Sequence, residues 1–584
     1  MSKYFGLLLI SPIALCLGCG TSANPPQVGV GGSGSDSGTG ANTSATAGAG
    51  SGVNEGGAGN ASAGTGNSGG TVGGATTVST GPVTLTVTAS ADAHAISPLI
   101  YGVNPGKIAC SNATARFTMC RLGGNRWTTY NWENNASNAG DILCFQNDDA
   151  LGTSNVAATK VTDLVAEASQ SSATATITIP IIDYVAADKL GGAPPPLCSG
   201  DVRLSTDYLT TRFKHNQARK GAAFADPPDA TDANVSQDEF LQYVKTRAGT
   251  AKVIVTLDNQ PELWFQTQAP VHPAHPTYQE VVSRNVEYAS MVRDNWPGAE
   301  ITGYGGYGYY AFLNLQDSPN PPGNSVFLDY YLAAMQLAET TAGKRLIDYL
   351  DIHWYSEVIV NSTRVLTTDT SPGLADARMQ APRSLWDPSY SEQSWIADNN
   401  GPIRLIPWLK TKITTNYPNT KLAISEWSYG GESSISGAIA VADALGIFGR
   451  EQVGLAAIQP IADDESFALG GFAAFRNYDG AGAAFGDTSV RAVSSDVSRV
   501  SIYASTDSTV VDRVVVVAIN RSTSDVLVGL AVNASVAFSS ANVFLITSAA
   551  ATPQPAAALT ASSGNNFTTT LPAYSVSVIV PKTG

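Results

Sequence analysis

Two stretches of the chain share one pattern, in which an apolar, β-branched run is followed at once by polar side chains. The first is Val253–Leu257, followed by Asn259 and Gln260, and the second is the strand predicted at 422–427, which ends with Glu426 and the ring beside it. Apolar runs of this length are typical of strands that are buried on both faces of a parallel sheet. In α/β barrels the carboxyl ends of such strands carry the catalytic groups. The pattern therefore predicts that these polar side chains meet at one end of a barrel.

Strand and helix patterns alternate through the middle of the chain, which implies a parallel sheet. In a chain of 584 residues this alternation predicts a closed (β/α)8 TIM-like barrel, which we place at residues 104–490. Further strands are predicted at 175–184, 300–304, 349–355 and 455–461, and helices at 238–247, 278–295, 327–340 and 436–450.

The pattern changes after about residue 490 to short strands joined by polar turns. Strands are predicted at 499–504, 513–520, 526–532, 543–547 and 575–580, and we interpret 491–584 as an antiparallel β-sandwich. The isolated strand Val83–Thr88 alternates apolar and polar residues and has no neighbour in the barrel pattern. We therefore predict that segment 79–103 joins the sandwich.

The amino terminus has the features of an export signal. Lys3 precedes a short apolar core at 7–17, and Gly18-Cys19 resembles the cleavage site of a bacterial lipoprotein. We expect residues 1–19 to be the signal peptide and 20–78, rich in Gly and Ser, to be a disordered linker. The protein is then an exported lipoprotein anchored by lipid at the outer membrane or cell surface; with an ordinary cleaved signal it is secreted instead.

The net charge limits the possible binding partners, and the cysteines limit the possible disulfides. The net charge of −15 argues against nucleic acid or anionic lipid as a partner, and a neutral polysaccharide fits it. Four cysteines follow the signal region, and they allow up to two disulfides in three possible pairings, or buried free thiols. They are Cys110, Cys120, Cys144 and Cys198. We expect a monomer.

Several motifs resemble glycoside hydrolase family 44, the bacterial β-1,4-glucanases and xyloglucanases. The resemblance covers roughly residue 79 to the carboxyl terminus. Its motifs are Ile100-Tyr101-Gly102-Val103-Asn104, Arg121-Leu122-Gly123-Gly124-Asn125-Arg126, Tyr130-Asn131-Trp132-Glu133-Asn134-Asn135, Leu257-Asp258-Asn259, His353-Trp354-Tyr355 and Ser425-Glu426.

The resemblance implies a (β/α)8 barrel with a β-sandwich and a retaining hydrolase of β-1,4-linked glucans. Glu426 falls on the family's nucleophile, and Gln260 falls on its general acid/base, which is normally Glu. An amide cannot deliver a proton, and losing general acid catalysis typically costs about 10²- to 10⁴-fold in rate. Glu262 is a possible deputy acid; the alternative is a helix-capping or surface role. A non-catalytic cell-surface glucan-binding protein is the alternative to a slow enzyme.

Residues near the predicted strand ends are candidates for binding sugar. Asn259 is expected to bond the 2-hydroxyl, and flat aromatic rings pack on the C–H faces of sugars. Arg121, Asn125 and Glu133 either line the cleft or brace the first barrel loop. The remaining candidates are Trp132, Trp264, His353, Trp354, Tyr355 and Trp427.

No cofactor is expected to be required and no metal site is assigned. His272 and His275 are separated by Pro273, which prevents the helical spacing of a metal-binding pair. The acidic group 463–465 is either a structural calcium site or a solvated loop.

Overall fold

The computed structural model of the chain describes residues 82–462 and 464–584. The predicted signal peptide, Cys19 and the 20–78 linker lie outside the described residues. Within the described part of the chain, no helix is both long and apolar enough to cross a membrane. The described residues form one compact unit from Pro82 to Gly584.

Eight parallel strands close into a barrel, which confirms the predicted (β/α)8 architecture. Pairing of Gly102 with Ala457 joins the first strand to the last and completes the closure. The strands are β1 (Gly102–Val103), β2 (Met119–Arg121), β3 (Thr174–Ile179), β4 (Val253–Leu257), β5 (Glu300–Gly306), β6 (Tyr349–Tyr355), β7 (Lys421–Ser428) and β8 (Leu455–Ile458).

Several element boundaries differ from the sequence prediction. The strand predicted at 175–184 is two strands, since β3 ends before Pro180 and a separate strand covers Tyr184–Ala186. The strand predicted at 455–461 ends at Ile458, two residues before Pro460. Proline has no N–H to donate to a ladder, so both runs stop there. Strand β1 lies inside the segment 79–103 that was predicted to serve the sandwich.

Helices surround the barrel, and some bury one face against it whereas Ile435–Arg450 is buried nearly all round. The helix Tyr278–Asn295 begins where the hydroxyl of Thr277 accepts a hydrogen bond from the Glu280 amide, and it buries Val281, Tyr288 and Val292 on one face. The other helices of eight or more residues in the described chain are Thr159–Gln170, Gln237–Ala248, Phe327–Ala342, Pro372–Gln380, Leu405–Asn416, Ile435–Arg450 and Ser466–Arg476.

The second domain is a mostly antiparallel β-sandwich. Strand Val83–Thr88 pairs antiparallel with Thr488–Ser494 and parallel with Val526–Asn533, so both ends of the described chain build this domain. Valines and leucines of its two sheets pack into one core. Its remaining main strands are Val500–Thr506, Val514–Asn520, Phe538–Thr547, Ala550–Thr560, Asn566–Leu571 and Ser575–Thr583.

A buried ion pair joins the sandwich to the barrel. Asp443, on the helix Ile435–Arg450, lies 2.9 Å from Arg521 of the sandwich, and both side chains are almost fully buried. The hydroxyls of Ser501 and Tyr503 donate to the same carboxylate. Because removing one partner of such a pair leaves a buried charge unpaired, loss of either side chain should destabilise the contact between the two domains.

The four cysteines form two disulfides, Cys110 with Cys120 and Cys144 with Cys198. Their Cα atoms are 5.9 and 5.4 Å apart, respectively. The first ties a loop to strand β2, and the second closes a longer segment between β2 and β4. These two pairings settle the choice that the sequence left open.

Candidate active site

Glu426 lies near the carboxyl end of β7, and both of its carboxylate oxygens accept hydrogen bonds. Arg121 donates to Oε1 at 2.7 Å, and the Tyr355 hydroxyl donates to Oε2 at 2.7 Å. Burial acts to raise the pKa of Glu426, but His353, the Arg121 charge and the Tyr355 hydroxyl together hold it below its usual value. Glu426 is therefore an ionised carboxylate near neutral pH, the state that a nucleophile requires.

Arg121, at the end of β2, is the fully buried centre of this network. Besides Glu426, its guanidinium donates to Asn104 at 2.9 Å and to Asn259 at 3.1 Å. It also lies 3.4 Å from Nε2 of His353. The side chain folds back over Gly123, where a Cβ atom would lie only 2.2 Å from the guanidinium carbon. A glycine is required at this position because the arginine occupies that space.

Gln260 follows β4, and its backbone N–H is anchored to the carbonyl of Gly305 at 2.9 Å. Its side-chain amide lies 2.7 Å from Nδ1 of His353. The same Nδ1 atom lies 3.5 Å from Oε2 of Glu426. Since one atom touches both groups, the Gln260 amide and that carboxylate oxygen are at most about 6.2 Å apart. The two strand ends singled out from the sequence therefore meet in space.

His353 is fully buried on β6 and carries no charge near neutral pH. Burial lowers its pKa to about 4; Glu426 acts in the opposite direction, and Arg121 lowers it further. A neutral imidazole has one donor and one acceptor nitrogen, so its neighbours decide which nitrogen carries the proton.

Asn259 is held by groups from the loop after β2. Its Oδ1 accepts from Arg121 and from the Gly124 amide, and its Nδ2 donates to Asn125 at 3.0 Å. The preceding Asp258 accepts from the Thr128 hydroxyl and from two backbone amides, and burial raises its pKa to about 6. Asn259 is therefore part of the network, and Asn125 lies beside it.

Comparison with known proteins identifies the family. Residues 128–358 match the model of glycoside hydrolase family 44. Endoglucanase A of Paenibacillus lautus is 37% identical over 524 residues, which cover 86% of this chain and 72% of that protein. The chain belongs to glycoside hydrolase family 44. Two solved family 44 enzymes are each 35% identical and match 86% of this chain: an endoglucanase from Clostridium acetobutylium (TM-score 0.80, 99% of that chain) and a Paenibacillus polymyxa xyloglucanase with xyloglucan (TM-score 0.81, 100% of that chain).

Glu262, the possible deputy acid, is fully buried in this family 44 chain. One carboxyl oxygen, Oε1, accepts a hydrogen bond from the Tyr307 amide, and Oε2 has no partner among the described residues. Burial raises the pKa of Glu262 to about 8, so it holds a proton near neutral pH. The surface role considered from the sequence is therefore wrong. As placed, the carboxyl is closed off from solvent.

Four tryptophans predicted to face sugar are buried among other side chains instead. Trp427 packs against Phe448 and Phe472, and Trp132 stacks on Phe240. The prediction for these rings is wrong, and for the two on strands, Trp354 and Trp427, the reason is that side chains alternate along a strand. Trp427 and Trp354 each follow an inward residue of the site, so they point outward into the helix layer. The buried rings are Trp132, Trp264, Trp354 and Trp427.

Glu133 braces the loop after β2 and does not line a cleft. It is buried and accepts a hydrogen bond from Lys214 at 2.8 Å, and burial raises its pKa to about 7. Of the two roles considered for Glu133, its surroundings fit the structural one.

A stacked pair of aromatic rings in the segments that follow β5 and β6 was missed from the sequence. Tyr310 stacks on Trp395 with ring centroids 4.4 Å apart and planes 10° from parallel, and Tyr310 is 48% exposed. Trp395 donates to Glu357, just beyond β6, at 3.4 Å. The aromatic run Tyr307-Gly308-Tyr309-Tyr310 after β5 was the available signal.

The candidate metal ligands do not come together. His272 bonds to Glu280, whereas His275 lies near the carbonyl of Gln316. Outside residues 1–81 and 463, no group of three or more His, Cys, Asp or Glu side chains is arranged to hold a metal ion. Of the acidic group, Asp463 lies outside the described residues, and Glu465 bonds to the Ala462 amide.

Proposed function

We propose that this protein is a retaining glycoside hydrolase of β-1,4-linked glucans, cellulose-type or xyloglucan, and that Gln260 slows its turnover. One observation carries the proposal: an ionised Glu426 lies no more than about 6.2 Å from the group at the acid/base position. Retaining enzymes separate the two groups by about 5–5.5 Å, whereas inverting enzymes need about 6.5–9.5 Å to admit a water.

The chemistry follows from the two groups. Glu426 attacks the anomeric carbon and forms a covalent glycosyl ester, while the bond to the leaving sugar oxygen breaks. That oxygen leaves as an alkoxide unless it receives a proton. Gln260 can donate a hydrogen bond to the oxygen but cannot give up a proton, so the glycosylation step is slow for natural glucans.

The substrate class is supported by the relatives, by an exposed aromatic ring and by the net charge. The relatives are named endoglucanases and a xyloglucanase. The exposed ring of Tyr310, which stacks on Trp395, offers a flat apolar face to the C–H surface of a sugar ring. The two rings lie in short helices, Tyr309–Asn314 after β5 and Trp395–Asn400 after β6. A net charge of −15 is compatible with a neutral polymer.

The second candidate is a non-catalytic glucan-binding protein. The amide at position 260 favours it, since every other group of the network is in place without a proton donor. Both candidates bind glucan, and only turnover separates them.

The test is reducing-sugar release from a panel of soluble β-glucans, together with affinity electrophoresis on the same polymers. Slow release that depends on Glu426 supports the enzyme. Binding without release supports the glucan-binding protein. If the protein neither binds nor cleaves any glucan in the panel, both candidates fail.

We further propose that the protein is exported and anchored through a lipid on Cys19. The support is the apolar segment at 7–17 that ends at Gly18-Cys19. Cys19→Ala should move the protein from the membrane fraction to the soluble fraction, and an unchanged distribution would refute the anchor.

A further inference from the structure

His353 is surrounded by groups that together determine where its proton lies. On the Nε2 side, the Arg121 guanidinium approaches at 3.4 Å. A guanidinium carries only donors, so Nε2 must accept. On the Nδ1 side, Oε2 of Glu426 lies at 3.5 Å, and an ionised carboxylate only accepts. Both neighbours favour the same tautomer, with the proton on Nδ1.

The opposite tautomer would place two donors against each other at Nε2 and two acceptors against each other at Nδ1. His353 and Arg121 are buried, so water does not compete for the contact between them, and Arg121 is further fixed by Asn104 and Asn259. Because His353 is neutral near neutral pH, only one of its two nitrogens carries a proton, so a doubly protonated ring does not relieve these contacts.

The tautomer in turn decides how the Gln260 amide is oriented. An Nδ1–H that points at Gln260 over 2.7 Å needs an acceptor, and the acceptor of an amide is its carbonyl oxygen. Rotating the amide by 180° exchanges its nitrogen and oxygen without moving any heavy-atom position. We infer that Gln260 presents its carbonyl oxygen to His353 and turns its NH2 group away, as a hydrogen-bond donor toward the ligand.

The inference gives His353 a role as a positioning residue. By donating to Gln260 it fixes which end of the amide faces away from the imidazole. On the proposed function, the NH2 group of Gln260 faces the glycosidic oxygen. The site then holds this oxygen through an N–H that donates a hydrogen bond but cannot transfer its proton. This last step rests on the proposed function, whereas the orientation of the amide does not.

The tautomer is measured by NMR of the full chain with ¹⁵N-labelled histidine. The chain has five histidines, so the spectrum is small enough to assign. At neutral pH we expect His353 to show a protonated, pyrrole-type Nδ1 and an unprotonated, pyridine-type Nε2. The reverse pattern overturns the inference.

Assignment does not depend on a variant of His353. If His353→Gln fails to fold, single substitutions of His94, His215, His272 and His275 assign the other four signals and leave His353 by elimination. None of these four belongs to the network around Glu426.

The donor role is tested by calorimetric binding of a cello-oligosaccharide under conditions where no product forms. Gln260→Met keeps the length of the side chain and removes the amide, so we expect affinity to fall about three- to tenfold. Equal affinity of the two forms overturns the donor role. If neither form binds any glucan, the proposed function and the donor role both fail, while the NMR result still decides the orientation of the amide.

Discussion

Gln260 and Glu426 touch the same atom, Nδ1 of His353, at 2.7 and 3.5 Å. The group at the acid/base position and the predicted nucleophile are therefore held by one buried imidazole, which is itself fixed by Arg121. The site has the arrangement of a two-carboxylate active site, except that Gln260 is an amide where a carboxylic acid is expected. Replacing Gln260 should change proton transfer while the surrounding residues stay in place.

Gln260→Glu should raise the hydrolysis of a natural β-glucan by about two orders of magnitude or more, because it restores general acid catalysis. One oxygen of the new carboxyl can accept from His353, and the other can hold the proton. The measurement is kcat/KM for reducing-sugar release. Glu426→Gln in the restored background should abolish activity.

Gln554→Glu is the matched control, since it makes the same chemical change at an exposed position of the sandwich. It should leave the rate unchanged. Brisk turnover by the unmodified protein, with no gain from Gln260→Glu, would show that another group supplies the proton.

Aryl glucosides with acidic phenol leaving groups should react with the unmodified protein, because such phenols leave with little protonation. Glu426 should then carry a covalent glycosyl group, detectable by intact-protein mass spectrometry and located by peptide mapping. Hydrolysis of that ester lacks a general base, so azide should speed turnover by attacking without one. A glycosyl group on any other residue, or none at all, would contradict the assignment of Glu426.

Tyr355→Phe should shift the acid limb of the pH profile upward. The Tyr355 hydroxyl donates to Oε2 of Glu426 at 2.7 Å, which is one of the contacts that hold the Glu426 pKa below its usual value. Without that donor the carboxylate is less stabilised, so its pKa rises and a higher pH is needed to ionise it. We expect a shift of up to about one pH unit in kcat/KM of the Gln260→Glu form.

Tyr208→Phe is the control for this shift, because the Tyr208 hydroxyl donates to the carbonyl of Pro270, outside the network. The acid limb of the pH profile of Tyr208→Phe should be unchanged. An unmoved limb in Tyr355→Phe would mean that the Tyr355 hydroxyl does not control the ionisation of Glu426.

The fold could be predicted wherever an element is long and strongly periodic. Strands β4 and β6 and the helix Tyr278–Asn295 agree with the sequence prediction to the residue. Strands β1 and β2 have two and three residues, too few to show a period. The strand Ala550–Thr560 was missed because it contains Pro553 and Pro555; a sheet tolerates proline at its edge, which is where this strand lies.

The sequence predicted those residues of the site that lie at or just after the ends of barrel strands. Six of the singled-out residues lie in one network: Arg121, Asn259, Gln260, His353, Tyr355 and Glu426. Trp354 and Trp427 were misplaced because each follows an inward side chain on its strand and therefore points the opposite way. Tyr310 and Trp395 lie in two short helices that are far apart in the sequence, and no local pattern in the sequence brings them together.

Glu262 lowers the stability of the folded protein as pH rises. Its folded-state pKa of about 8 lies above the ordinary value of 4.5, so the folded state holds the proton more tightly than the unfolded state. The free energy of unfolding should therefore fall between about pH 4.5 and 8, with a contribution from this group of at most about 1.4 kcal/mol per pH unit.

Glu262→Gln removes this contribution, because an amide resembles the protonated acid and does not titrate. In urea unfolding at a series of pH values, the variant should gain stability relative to the unmodified protein as pH rises from about 5 to 8. A constant difference in stability between the two forms would show that Glu262 does not titrate in this range.

The same variant tests whether Glu262 is a deputy acid. In the structure Oε1 is bound to the Tyr307 amide and the carboxyl is closed off from solvent. Residual glucan hydrolysis should therefore survive Glu262→Gln, and its loss, with folding intact, would identify Glu262 as the acid that replaces the missing one.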